Sequence, residues 1–214
     1  MRSVWSAWAL LLVATAVSAQ TSQLERLNTA LDPATRRAVL AIVDSARVAK
    51  LPAEMLVNKA LEGAGKHADG PRIVAAVRAL AGELRVARNA LGSGSRAEEI
   101  SAGAHAIHAG VAPADLTRLR HSAVGRELTT PLMVLTDLVS RGVPARSASS
   151  DVVMLARAGL RDADFTVYQR SVRQDIESGA DPAAAASTRA RGAILLRRGG
   201  GGPPAPLPGA VSGP

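Results

Sequence analysis

The chain has 214 residues, with 26 basic and 18 acidic side chains, a net charge of +8, no cysteine, and aromatic residues at only 2% of positions. A cysteine-free sequence excludes disulfides, thiolate chemistry and Cys-ligated zinc. The length accommodates one domain with a substantial core or two small ones, and a core so poor in aromatics must be packed from Leu, Val, Ile and Ala, which suits close helices better than a β-sandwich.

The first element in chain order is an address. Arg2 precedes an apolar run over residues 4–17, and Ala16-Val17-Ser18-Ala19 offers small residues ahead of Gln20. This is the pattern of a secretory signal peptide over residues 1–19, cleaved at about Ala19. The run is short of the roughly 20 apolar residues a helix needs to cross a bilayer. The expected mature chain is therefore periplasmic or secreted, with no transmembrane span. Both tryptophans, Trp5 and Trp8, fall in this segment, leaving Phe165 and Tyr168 as the remaining aromatics.

Residues 20–188 read as one all-α domain. Asp32-Pro33 places an N-cap before a proline at the first helical position, and Val39, Leu40, Ile42 and Val43 supply an apolar face. Leu51-Pro52 restarts the chain. Gly70-Pro71 opens the longest amphipathic run, in which Ile73, Val77, Leu80 and Leu84 recur near a 3.6-residue period opposite Arg72, Arg78 and Arg85. Gly92 ends it, and Ser95 with Glu98 predicts a capping box for the next helix. Thr130-Pro131 opens a helix that reaches Arg141, and Asp181-Pro182 opens the last. Gly110-Val111-Ala112-Pro113, Gly142-Val143-Pro144, Gly159-Leu160-Arg161-Asp162 and Gly179-Ala180-Asp181-Pro182 repeat one junction. In each, glycine takes the left-handed position after a helix, the next residue packs back, and Pro or Asp starts the following helix. The expected architecture is an array of eight or nine short helices joined by tight Gly/Pro turns, compatible with a closed bundle or a curved stack.

Leu56-Val57-Asn58-Lys59-Ala60-Leu61-Glu62-Gly63, followed by Gly70-Pro71-Arg72-Ile73-Val74, resembles a block of uncharacterised exported bacterial α-helical proteins with recurrent Gly-Val-Pro helix junctions. The chain departs from that pattern at Ala68-Asp69-Gly70-Pro71, where the pattern has a valine before the proline and this chain has Gly70. Gly142-Val143-Pro144 follows the same style. The resemblance implies an all-helical fold and no known activity.

Residues 189–214 change character. Arg189, Arg191, Arg197 and Arg198 lie beyond the last acid, Asp181, and four glycines and a proline-rich run follow. Such a composition predicts a disordered Arg-, Gly- and Pro-rich tail. The four arginines flank Ala193-Ile194-Leu195-Leu196, a basic and apolar pattern suited to contact with an anionic envelope component. With Arg2 and these four set aside, the body is close to neutral, and no nucleic-acid partner is expected.

Candidate chemistry is sparse. His105 and His108, three apart on a predicted helix, point the same way and form the metal candidate, with His121 or Glu99 as a possible third ligand. Gly63-Ala64-Gly65-Lys66 lacks the strand, the spacing and the Ser or Thr of a phosphate-binding loop, and reads as a helix end. Glu98-Glu99 sits in a first helical turn, where the macrodipole favours negative charge. Asp162 and Asp164 flank a helix start in the same way. Phe165 and Tyr168, on one helix face, read as the bulky anchor of a small-residue core. No nucleophile elbow is present, and no catalytic residue or cofactor is assigned. The expected function is that of an exported, non-enzymatic envelope protein that binds or scaffolds an unknown protein or anionic envelope component through a helical surface. The alternative is a metal-dependent or acid/base hydrolase with a site near His105 and His108.

Overall fold

The computed structural model describes residues 25–199, and the side chains of residues 25–197. The predicted signal peptide and the Gly/Pro-rich end from residue 200 onward lie outside the described residues. Residues 25–30 are helical. They are followed by α1 (Pro33–Val48), α2 (Ala53–Gly65), α3 (Gly70–Leu91), α4 (Ala97–His108), α5 (Pro113–Ser122), α6 (Thr129–Ser140), α7 (Ala145–Arg157), α8 (Asp162–Glu177) and α9 (Pro182–Gly199). No strand occurs among the described residues. The all-α expectation holds. No helix among these residues is long and apolar enough to cross a membrane.

The chain divides into two compact units, one within Met1–His108 and the other within Ala109–Pro214, where the sequence suggests one domain over residues 20–188. In the first unit α3 is the central element and packs against α1, α2 and α4. Its Ile73, Val77 and Leu84 are buried with Val39 and Val43 of α1 and Leu56 of α2. The Asp32 carboxylate caps α1 by accepting from the backbone N–H groups of Ala34 and Thr35, as the Asp32-Pro33 pair predicts. At Gly70, a Cβ would collide with the Thr35 hydroxyl, so glycine lets the start of α3 lie against that of α1. The capping box predicted at Ser95 and Glu98 is displaced by one residue. Glu99 reaches back to the Arg96 N–H at 3.1 Å, while the Ser95 hydroxyl donates to the Leu91 carbonyl that ends α3. Ser95 is taken by the preceding helix, which leaves the cap to Arg96 and Glu99.

In the second unit α7 packs against α5, α6 and α9, and α8 packs against α6 and α9. The core is built from leucines of α5, α6 and α7, with Phe165, Tyr168 and Val172 of α8 buried among the apolar set. Phe165 and Tyr168 are thus the core anchors the sequence suggests, and the Tyr168 hydroxyl donates to the Ala186 carbonyl at 3.3 Å. The glycine junctions at Gly142 and Gly159 have their predicted geometry, whereas Ala180 after Gly179 is exposed. Gly142 and Gly159 have φ of 91° and 77°, and the following Val143 and Leu160 are buried and donate back to the Leu138 and Leu155 carbonyls. Arg126 fastens the α5–α6 connection to the end of α7 through the Ala156 and Leu160 carbonyls.

The predicted tail boundary at residue 189 requires correction. Helix α9 continues through Gly199. Residues 182–190 are mostly alanine, a strong helix former, and Ala185, Ala186 and Ala190 are buried. That packing carries the helix past Arg189 into the segment that composition alone marks as unstructured.

Candidate ligand-binding groove

A hollow of ≈ 750 Å³ in the second unit lies along α7 and α9 with one contribution from α5. Helical spacing explains how α7 supplies its wall: Arg146, Ser150, Val153 and Arg157 recur every three or four residues and so share one face. Met154 flanks that line, and α9 adds Arg191, Ile194 and Leu195. From α5 comes Arg118. Four arginines therefore surround an apolar floor, and no acidic residue lines the hollow.

These arginines differ in their partners. Arg118 pairs with Asp115, three residues earlier on α5. Arg146, Arg157 and Arg191 form no ion pair or side-chain hydrogen bond among the described residues. A guanidinium is charged at any physiological pH, so the groove carries a concentrated positive field beside apolar surface. Its apolar lip is exposed: Leu195 retains 67% of its accessible surface.

Beneath the groove lies a buried acid. Asp151 of α7 is 7% exposed, and its Oδ2 finds no hydrogen-bond partner among the described residues. Burial pushes its carboxyl up to about 6, and the nearby positive charge of Arg191 opposes that rise. Tyr168 feels the same environment, its hydroxyl raised by burial and by the Asp151 charge.

The arginines assigned to envelope contact from the sequence are separated by the fold. Arg189 forms a bidentate fork on Asp175, with both contacts at 2.6 Å, and Arg197 lies 3.7 Å from Asp164. Both pairs join α9 to α8 across a second hollow of ≈ 680 Å³. Of the set, Arg191 alone lines the arginine-rich groove, and the Arg198 side chain lies outside the described residues. The sequence missed Arg118, Arg146 and Arg157, which are far apart in the chain and carry no local motif.

The metal candidate gains no support. His105 and His108 are exposed on α4, and the His108 Nδ1 contacts the Glu83 Oε1 of α3 at 2.9 Å. Among the described residues no group of three or more His, Asp or Glu side chains is placed to hold a metal. Glu99 is buried and occupied with capping Arg96, and His121 belongs to the other unit. The phosphate-loop lookalike is a helix end as expected: Lys66 and Lys59 both donate to Glu62, whose carboxyl they hold down at about 2.

No protein-family model, curated protein or solved structure matches the chain.

Proposed function

We propose that the chain is an exported, non-enzymatic envelope protein whose second unit binds an anionic, lipid-like envelope component in the groove along α7 and α9. The observation that carries this reading is the groove's composition, with Arg118, Arg146, Arg157 and Arg191 around Val153, Met154, Ile194 and Leu195 and no acid on the wall. Convergent positive charge over apolar surface is the chemistry that recognises an anionic amphiphile. The signal-peptide pattern of residues 1–19 supports an envelope location, since it directs the chain to where such lipids are exposed.

The test is co-sedimentation of the mature protein with phosphatidylglycerol vesicles, with phosphatidylcholine vesicles as control. Retention on the anionic vesicles is expected at low salt, with a marked decrease at 0.5 M salt as the charges are screened. Replacing Arg146, Arg157 and Arg191 together with glutamate is expected to abolish it. Equal retention on both vesicle types, or retention that survives the charge reversal, would overturn the reading.

A further inference from the structure

Resting on the proposed binding of an anionic envelope component, we infer that the groove takes a single lipid monomer with one alkyl chain and a phosphate-monoester headgroup, held in a fixed direction. The two ends of the groove are chemically different. Helices α7 and α9 run the same way, because the Arg197 guanidinium at the end of α9 lies beside Gly159, just past the end of α7. Arg191 acts by its charge on Asp151, which stands six residues into α7, near the middle of the helix. Towards the start of α7 the wall is therefore Arg146 and Ser150, with Arg118 contributed by α5 and Arg191 reaching it from about mid-helix. Towards its end the wall is Val153, Met154, Ile194 and Leu195. At 1.5 Å per residue, Arg146 and Met154 are separated by about 12 Å along the helix, enough to resolve a headgroup end from a chain end.

Charge chooses the headgroup. Arg118 already has Asp115 as an ion-pair partner, so Arg146 and Arg191, which form no ion pair among the described residues, are the cations available at the polar end, Arg191 with the Asp151 charge nearby. Two guanidinium groups match the charge of about −1.5 to −2 on a phosphate monoester at neutral pH, and their planar forks suit its oxygens. Size favours a small ligand, since ≈ 750 Å³ falls within the range of pockets that enclose single small molecules. Arg157 stands at the chain end, where a long arginine stem extends an apolar wall while its charge stays in water. It is a wall residue in this arrangement and not a headgroup ligand.

Isothermal titration of the mature protein with 1-acyl lysophosphatidates of 8, 10 and 12 carbons, below their micellar concentrations, tests this. Affinity is expected to rise about four-fold for each methylene that enters the groove. The Arg146→Ala/Arg191→Ala variant is expected to lose at least ten-fold in affinity, and Arg157→Ala, at the chain end, a smaller factor. Thermal melts of each variant report whether the fold is intact. Affinity that ignores chain length, or inorganic phosphate that competes as well as the lysolipid, would show an anion site only and overturn the inference. Equal losses from Arg157→Ala and from the headgroup pair would overturn the assigned direction. Failure to bind any lysophosphatidate, with anionic-vesicle retention intact, overturns the monomer inference and leaves the proposed function standing. Failure in both assays overturns both.

Discussion

Helix α9 presents two flanks that are alike in composition and opposite in state. Towards α8, Arg189 and Arg197 meet Asp175 and Asp164, and the hollow between the helices is spanned by matched charge. Towards α7, Arg191 joins Arg118, Arg146 and Arg157 around a hollow without a single acid on its wall. One residue type thus does two jobs on one helix. On the first flank arginine fastens α9 to its neighbour, and on the second it is left available to a ligand. What separates them is the tertiary neighbour: α8 offers aspartates at the right heights, whereas the face of α7 that meets the groove offers serine, valine and further arginine.

The largest expected effect lies under the closed flank. Phe165 is fully buried in α8, and Phe165→Ala is expected to cost about 3–5 kcal/mol in urea unfolding, from lost transfer energy and the cavity left behind. A loss below about 1 kcal/mol would mean that α8 and its partner helices are not packed as described.

The next effect sits under the open flank and has a sign opposite to that of most core changes. Asp151 is buried without a full set of partners, and its carboxyl is raised to about 6 in the fold from an ordinary 3.8. Between those values the unfolded chain releases the proton while the folded chain retains it. Stability is therefore lost as pH rises from about 4 to about 6, and the full penalty persists above that. Two pH units correspond to roughly 3 kcal/mol. Asp151→Leu is expected to stabilise the protein by about that amount at pH 8 and by little at pH 3.5. Thermal melts across this range check it, and a variant less stable than the parent at pH 8 would show that the carboxylate has a stabilising partner.

Much of the fold was legible because its signals are local. Asp32-Pro33 and the Gly142 and Gly159 junctions act within one turn of chain, so the residues that need each other are adjacent in sequence. The displaced cap at Arg96 marks the limit of that legibility, since Ser95 had two uses and only the packed end of α3 decides between them. The tail boundary at 189 failed for a related reason. Arginine and glycine composition suggested an unstructured segment, while Ala185, Ala186 and Ala190 hold α9 against the core through contacts that composition does not reveal. The groove was illegible. Arg118, Arg146 and Arg157 carry no local signal and Arg191 read as part of an unstructured tail, and only the pairing of three helices gathers them. The sequence placed the basic contact at Arg189, Arg191, Arg197 and Arg198 in a segment read as disordered, whereas the fold pairs Arg189 and Arg197 with aspartates of α8 and leaves Arg191 on the groove.

The smallest effect is the most discriminating between the flanks. Arg189→Ala removes the fork on Asp175, an exposed pair, and such pairs contribute little to stability. Only a slight fall in melting temperature is expected, and added salt should shrink it further because it screens an exposed pair. Anionic-vesicle retention should be unchanged, since the Arg189 charge is spent within the fold. Arg191→Ala should do the reverse. It weakens vesicle retention and removes the cation that opposes the burial of Asp151, so the Asp151 carboxyl is expected to titrate above its present value of about 6. Carboxyl NMR titration and co-sedimentation of the two single variants make the measurement. If Arg189→Ala weakens retention as much as Arg191→Ala, the two flanks are not functionally distinct, and the basic contact belongs to α9 as a whole.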